Sequence, residues 1–139
     1  MDIRALTFNV KMLPGLLGRG DDDLIRAGAI ATAIVAAKYD VVCLQEVFDE
    51  EARELLARAL RDVLPHQVTK CADAAIFEED SGLFFASRLP IRGWGFQEFD
   101  DAKAFTSDAL ACKGIFGARL DLASGAGEPS ALCVFNTHL

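Results

Sequence analysis

The 139-residue chain has the length of one domain, and its 52% hydrophobic and 25% charged residues are ample for a packed core. A net charge of −7 disfavours a broad electrostatic grip on nucleic-acid backbone, which draws on clustered Lys and Arg. The four cysteines, Cys43, Cys71, Cys112 and Cys133, show no Cys-x-x-Cys spacing, which argues against structural zinc; Cys43 and Cys133 lie in apolar runs and read as reduced, small hydrophobes.

Met1-Asp2-Ile3-Arg4 leads straight into a strand-like segment with no apolar leader, and the uncharged run 27–37 is too short for a bilayer, so a cytoplasmic protein is expected. Residues 3–10 have the apolar, β-compatible character of a first strand, ended by Pro14, Gly15, Gly18 and Gly20. Asp21, Asp22 and Asp23 suit a helix start, and Leu24, Ala27, Ala31, Ile34 and Val35 recur at helical spacing up to Lys38. A second strand follows from Val41 to Val47. Strand, helix, strand in this order predicts a βαβ unit, whose parallel strands bring Asn9 and Glu46 to one edge of a sheet.

A second helix is predicted over 49–63, capped by Asp49 and carrying the stripe Ala52, Leu55, Leu56, Ala59, Leu60 and Val63. Beyond Pro65 the helical period disappears, and strands are expected near 67–69, 82–87, 93–99, 114–122 and 131–137. The Gly- and Pro-bearing segment 124–129 should fold the last two into a hairpin. No repeat or interdomain linker interrupts this order, and the chain reads as one domain.

Glu46 directly follows a buried strand, where the scaffold fixes a carboxylate at the sheet edge that hosts α/β sites. Magnesium is a hard cation that takes oxygen donors and keeps several waters, so one or two such carboxylates suffice. Asn9 offers an amide to a phosphate oxygen or a metal-bound water. His138, after another strand, can hydrogen-bond a scissile phosphate.

Phe8-Asn9-Val10, the run from Val41 to Val47 through Gln45-Glu46, Ser81–Ile91 with its Ser87-Arg88-Leu89-Pro90 turn, and Asn136-Thr137-His138-Leu139 together resemble, in order and spacing, the first half of the endonuclease/exonuclease/phosphatase family. Asp108-Ala109-Leu110-Ala111-Cys112-Lys113-Gly114 is similar to a segment of that family's neutral sphingomyelinase-like branch. The resemblance implies an α/β fold, the DNase I-like four-layer β-sandwich with outer helices, of which residues 1–139 carry about the first half. It also implies a divalent-metal-dependent phosphodiester hydrolase, with Glu46 binding Mg2+ or another divalent cation, Asn9 and His138 acting on the phosphate, and Asp108 and Lys113 on the substrate side. A phospholipid-type phosphodiester is the expected substrate, with nucleic acid disfavoured by the acidic charge; a nuclease or an inositol or sugar phosphatase is the alternative on the same fold.

The family pattern continues to a Gly-Asp-x-Asn segment and an Asp-His pair carrying the general base, and neither occurs here. The expectation is therefore a chain truncated at its carboxyl end and inactive by itself. A half-built sandwich should also leave the apolar inner face of one sheet uncovered. A non-catalytic half-domain that self-associates or covers a partner is the competing reading from outside the enzymes.

Overall fold

The computed structural model describes residues 2–13, 22–71, 80–99, 113–122 and 130–138. Strand β1 (Ala5–Met12), helix α1 (Asp23–Ala37) and strand β2 (Val41–Val47) form the expected βαβ unit, with β1 and β2 parallel from Ala5↔Val41 to Asn9↔Gln45. Helix α2 (Glu50–Leu60) follows, then β3 (His66–Val68) and β4 (Phe84–Ser87), which complete a four-stranded sheet in the order β1-β2-β4-β3. Strands β5 (Ile91–Glu98), β6 (Gly114–Leu122) and β7 (Ser130–Thr137) form an antiparallel three-stranded sheet. β6 and β7 pair from Ile115↔Thr137 to Leu122↔Ser130, as the expected hairpin requires, although its turn lies outside the described residues.

The period-2 alternation of β2 divides the molecule into two cores. Val42 and Leu44 point to the helices and pack with Val10, Met12, Ala27, Ala31, Ile34, Ala52, Leu56 and Leu60. Val41 and Cys43 point the other way and join Phe85, Leu89, Phe116, Ala118 and Leu120 between the sheets. The Phe85 and Phe116 rings meet there at 5.1 Å between centroids, within the range of favourable aromatic pairing. Burial holds the Cys43 thiol up at about 11 and the Cys71 thiol at about 12, so both are neutral hydrophobes at physiological pH.

Helix faces follow the predicted stripes only in part. Ala27, Ala31 and Ile34 of α1 are buried, whereas Leu24 and Val35 are exposed. On α2, Ala52, Leu56 and Leu60 are buried, Ala59 faces solvent and Arg53 lies inside; the helix ends at Leu60, short of the expected 63, and Val63 beyond it is exposed. The Asp49 side chain accepts from Ala52 N at 2.8 Å and caps α2 as anticipated.

Over the described residues the expected uncovered inner face is confined to the edge strand β5, where Trp94 pairs with inward-facing Ala118 and is 51% exposed. The chain contributes strands to both sheets, and these already close on each other, with Phe85, Phe116 and Leu120 fully shielded. The exposed aromatics among the described residues are Phe8 on β1 and, on the three-stranded sheet, Trp94 and Phe135. The Trp94 ring stands 5.9 Å from that of Phe116 between centroids.

At the end of the four-stranded sheet away from Glu46, Asp40 gathers three segments. Its carboxylate accepts from Arg4 N at 2.9 Å and from Arg88 Nε at 2.7 Å, and its backbone N–H donates to Arg4 O at 2.8 Å. The Arg4 amide first, and then the Arg88 guanidinium, hold the Asp40 carboxyl below its usual value of 3.8. A depressed folded-state value means that the contribution is fully present above 3.8 and is lost as pH falls through the lowered value. Asp40→Asn should therefore cost about 1–2 kcal/mol at neutral pH. The difference from the parent should shrink in acid, as urea melts across a pH series would record.

Candidate active site

Three of the five sequence-predicted site residues converge. Asn9 lies near the carboxyl end of β1, Glu46 at that of β2 and His138 just past β7, so the two sheets jointly supply the cluster. Asn9 Nδ2 donates to Glu46 Oε1 at 2.6 Å and stands 3.3 Å from His138 Nε2. His138 Nε2 is 3.2 Å from the same Glu46 Oε1. Lys11 N donates to Asn9 Oδ1 at 3.0 Å, which turns the amide NH2 toward Glu46 and His138. Nε2 donates to Glu46 in the tautomer that carries its proton there and accepts from Asn9 in the other.

Local backbone breaks aim these groups. The β1–β2 register shifts between Asn9 and Met12, and Lys11 takes φ 50°. Glu46 itself takes φ 57°, the left-handed region that a non-glycine residue enters at about 1 kcal/mol or more. Gly82, at φ 63°, closes the turn before β4, and a Cβ there would lie 2.6 Å from the Phe48 ring. The left-handed backbone favours glycine there, and a Cβ would also require the Phe48 ring to shift.

Asn136 is the residue of the Asn-Thr-His stretch whose importance the sequence did not reveal. It is buried between the sheets, where its Nδ2 donates to Leu44 O at 3.1 Å and Phe84 O at 3.4 Å. Its Oδ1 accepts from Gln45 Nε2 at 2.7 Å, and Gln45 Nε2 also reaches Thr7 Oγ1 at 3.1 Å. A buried amide two residues before His138 thus ties β7 to the strand that carries Glu46. The sequence signal was the polar pair Gln45 and Asn136 inside apolar runs, since buried amides demand partners.

Lys113 directly precedes β6, whose Ile115 pairs with Thr137, so its backbone lies at the His138 end of the small sheet. Asp108 lies outside the described residues. Among the described residues no group of three or more His, Cys, Asp or Glu side chains is gathered as a cation site. Of the three clustered side chains, only the Glu46 carboxylate offers the oxygen donor that a hard cation takes, since Asn9 turns its NH2 toward it.

Residues 6–121 match the Endonuclease/Exonuclease/phosphatase family, and the chain belongs to that family. Sphingomyelin phosphodiesterase 5 of Danio rerio is 33% identical over 120 residues, covering 78% of this chain and 21% of its own length. A putative neutral sphingomyelinase of Drosophila melanogaster is 32% identical over 93 residues, or 67% of this chain and 20% of that protein. Sphingomyelinase C from Streptomyces griseocarneus superposes with a TM-score of 0.83 at 27% identity, over 98% of this chain and 48% of that one. A Staphylococcus aureus beta toxin solved with bound magnesium ions shares the fold, with a TM-score of 0.82 at 23% identity over 99% of this chain and 49% of that one. The fold is the expected α/β, DNase I-like one, and the chain is similar to the amino-terminal part of its neutral sphingomyelinase-like branch. It spans about a fifth of these curated relatives and about half of these solved structures.

The clamp between the sheets is directly testable. Asn136→Ala strips a partner from Gln45 and from two buried carbonyls and should lower stability by about 2–4 kcal/mol in urea unfolding. Thr137→Ala removes only the bond from Thr137 Oγ1 to Gly114 O, 2.9 Å long. It should cost about 0.5–1.5 kcal/mol.

Proposed function

We propose that this chain supplies the first part of the active site of a divalent-metal-dependent phosphodiester hydrolase acting on a sphingomyelin-type phospholipid. The observation that carries the reading is the convergence of Glu46, Asn9 and His138 within 3.3 Å at the strand ends. Family membership supports hydrolytic chemistry at a phosphoester, and the sphingomyelin phosphodiesterases and sphingomyelinase C among the similar proteins support the choice of substrate.

A divalent cation held at Glu46 would supply the positive charge that an acidic chain otherwise lacks at a phosphate. Asn9, pinned by Lys11 N, keeps its NH2 directed at the cluster, where it can donate to a phosphoryl oxygen. His138 in its protonated form can donate from Nε2 to the same phosphate as negative charge accumulates in the transition state. Both donors are held on strand ends before the reaction begins, so little reorganisation is needed as the charge develops. Lys113, and Asp108 with it, are assigned to the substrate side. The general base and further carboxylate ligands are assigned to sequence beyond these residues, which would complete the domain.

In the protein read through its in-frame continuation, Glu46→Gln should reduce magnesium-supported sphingomyelin hydrolysis by about 100-fold or more. Unchanged turnover together with unchanged metal affinity would reject the assignment. The same assay run on plasmid DNA separates the substrates, because faster cleavage of DNA than of sphingomyelin would make the protein a nuclease. The 139-residue chain alone should give no turnover above buffer on either substrate; robust magnesium-dependent hydrolysis by the pure chain would show that no further segment is needed.

A further inference from the structure

The backbone around Glu46 is held by a closed circuit centred on Arg53. Arg53 of α2 lies inside the protein, and its Nε and Nη2 donate to Val47 O at 3.0 and 2.5 Å. Its Nη1 meets Asp80 Oδ2 at 2.5 Å, and that pair is also buried. Asp80 Oδ1 in turn accepts from Gly82 N at 2.6 Å. Gly82 O receives Val47 N at 2.9 Å, which closes the loop. Both backbone polar groups of Val47, the residue next to Glu46, are therefore taken by one arginine-centred assembly.

The position of this circuit matters because Glu46 is left-handed. Its φ of 57° is disfavoured for a glutamate and persists only where the surroundings over-determine it. The 46–47 peptide is held through Val47 N by Gly82 O, which Arg53 anchors by way of Asp80, while Arg53 itself holds Val47 O in the next peptide; with the clasp gone both anchors loosen, and Glu46 would relax to a negative φ that swings its carboxylate away from Asn9 and His138. The neighbouring strand end shows the same principle in looser form. Arg26 of α1 donates to Val10 O and, at 3.3 Å, to Lys11 O, and it is paired with Asp23 at 2.7 Å. Lys11 is likewise left-handed, but the Arg26 side chain is 43% exposed, against 8% for Arg53. Each parallel strand that carries a site residue thus ends in a backbone break whose orphaned carbonyl is taken by an arginine from the helix that follows it in sequence.

We propose that Arg53, clasped by Asp80, is the positioning residue for Glu46: it holds the left-handed peptide that aims the carboxylate into the cluster. The consequence for cation binding rests on the metal-site reading above; the consequence for the backbone does not. Two variants of the full 139-residue chain test it. Arg53→Met combined with Asp80→Asn removes the clasp without leaving a lone buried charge, and Asn retains an oxygen for Gly82 N. Arg53→Lys keeps the charge but has no planar fork to hold Val47 O and Asp80 together.

The deciding measurement is the HN–Hα coupling and the Cα and Cβ shifts of Glu46, which report the sign of φ, read beside the amide signals of α2 as a monitor of folding. Both variants should lose the left-handed signature at Glu46 with α2 intact, whereas Glu46→Gln should keep that signature at position 46. Titration with Mn2+ followed by its electron paramagnetic resonance signal should show at least tenfold weaker binding in both Arg53 variants and in Glu46→Gln. A left-handed Glu46 in either folded Arg53 variant overturns the proposal. Equal Mn2+ binding by the parent and Glu46→Gln overturns the metal reading instead, while the Glu46 coupling still decides the clasp.

Discussion

The amide of Asn136 occupies the one place where the two sheets must agree. It spans from β7 to the carbonyls of Leu44 and Phe84 on β2 and β4, and Gln45 answers it from the strand that bears Glu46. A hydrophobic interface alone would hold the sheets together, but apolar contacts are non-directional and tolerate sliding. Buried hydrogen bonds do not, because each misplacement leaves a desolvated donor or acceptor. Since His138 arrives on one sheet and Glu46 on the other, this network sets the separation between the imidazole and the carboxylate.

The second constraint is local. Regular parallel strands would alternate their side chains to opposite faces, so aiming Asn9 and Glu46 at a common point requires the ladder to end irregularly. The register shift after Asn9 and the left-handed backbone of Lys11 and Glu46 do this, and they release carbonyls that must find donors. The helices that the βαβ topology places beside the strand ends provide arginines for them. Buried and exposed ion pairs play different parts here. Arg92–Asp121 on the small sheet is solvated and contributes about 0–1 kcal/mol. Removing one partner of the buried Arg53–Asp80 pair would cost about 3–5 kcal/mol, because the other charge would be stranded.

The net charge of −7 gives no general attraction for an anion. On the proposed function, phosphate recognition would therefore rest on a few preorganised groups at the strand ends and on a cation held at Glu46. Sphingomyelinase C from Streptomyces griseocarneus shares this chain's fold at a TM-score of 0.83, and on the proposed reading the clustered Asn9, Glu46 and His138 would give that likeness its chemical basis.

Much of the architecture could be read from the chain itself. Period-2 and period-3.6 patterns placed β1, α1, β2 and α2 to within a few residues, and the βαβ rule put Asn9 and Glu46 on one edge before any coordinates. The order of short motifs identified the family and added His138 to the site. Helix faces were less legible: Leu24 and Val35 matched the apolar spacing of α1 yet face solvent, and Arg53 interrupts the stripe of α2 while lying inside. Periodicity reports only which residues share a face, not how far a neighbouring layer extends over it. The burial of Asn136 and the Arg53–Asp80 clasp beside the left-handed Glu46 depend on groups from 27 to 92 positions apart meeting in space. Local propensity carries no record of such partners; only the packing of one sheet on the other, and of the helices on the first, brings them together.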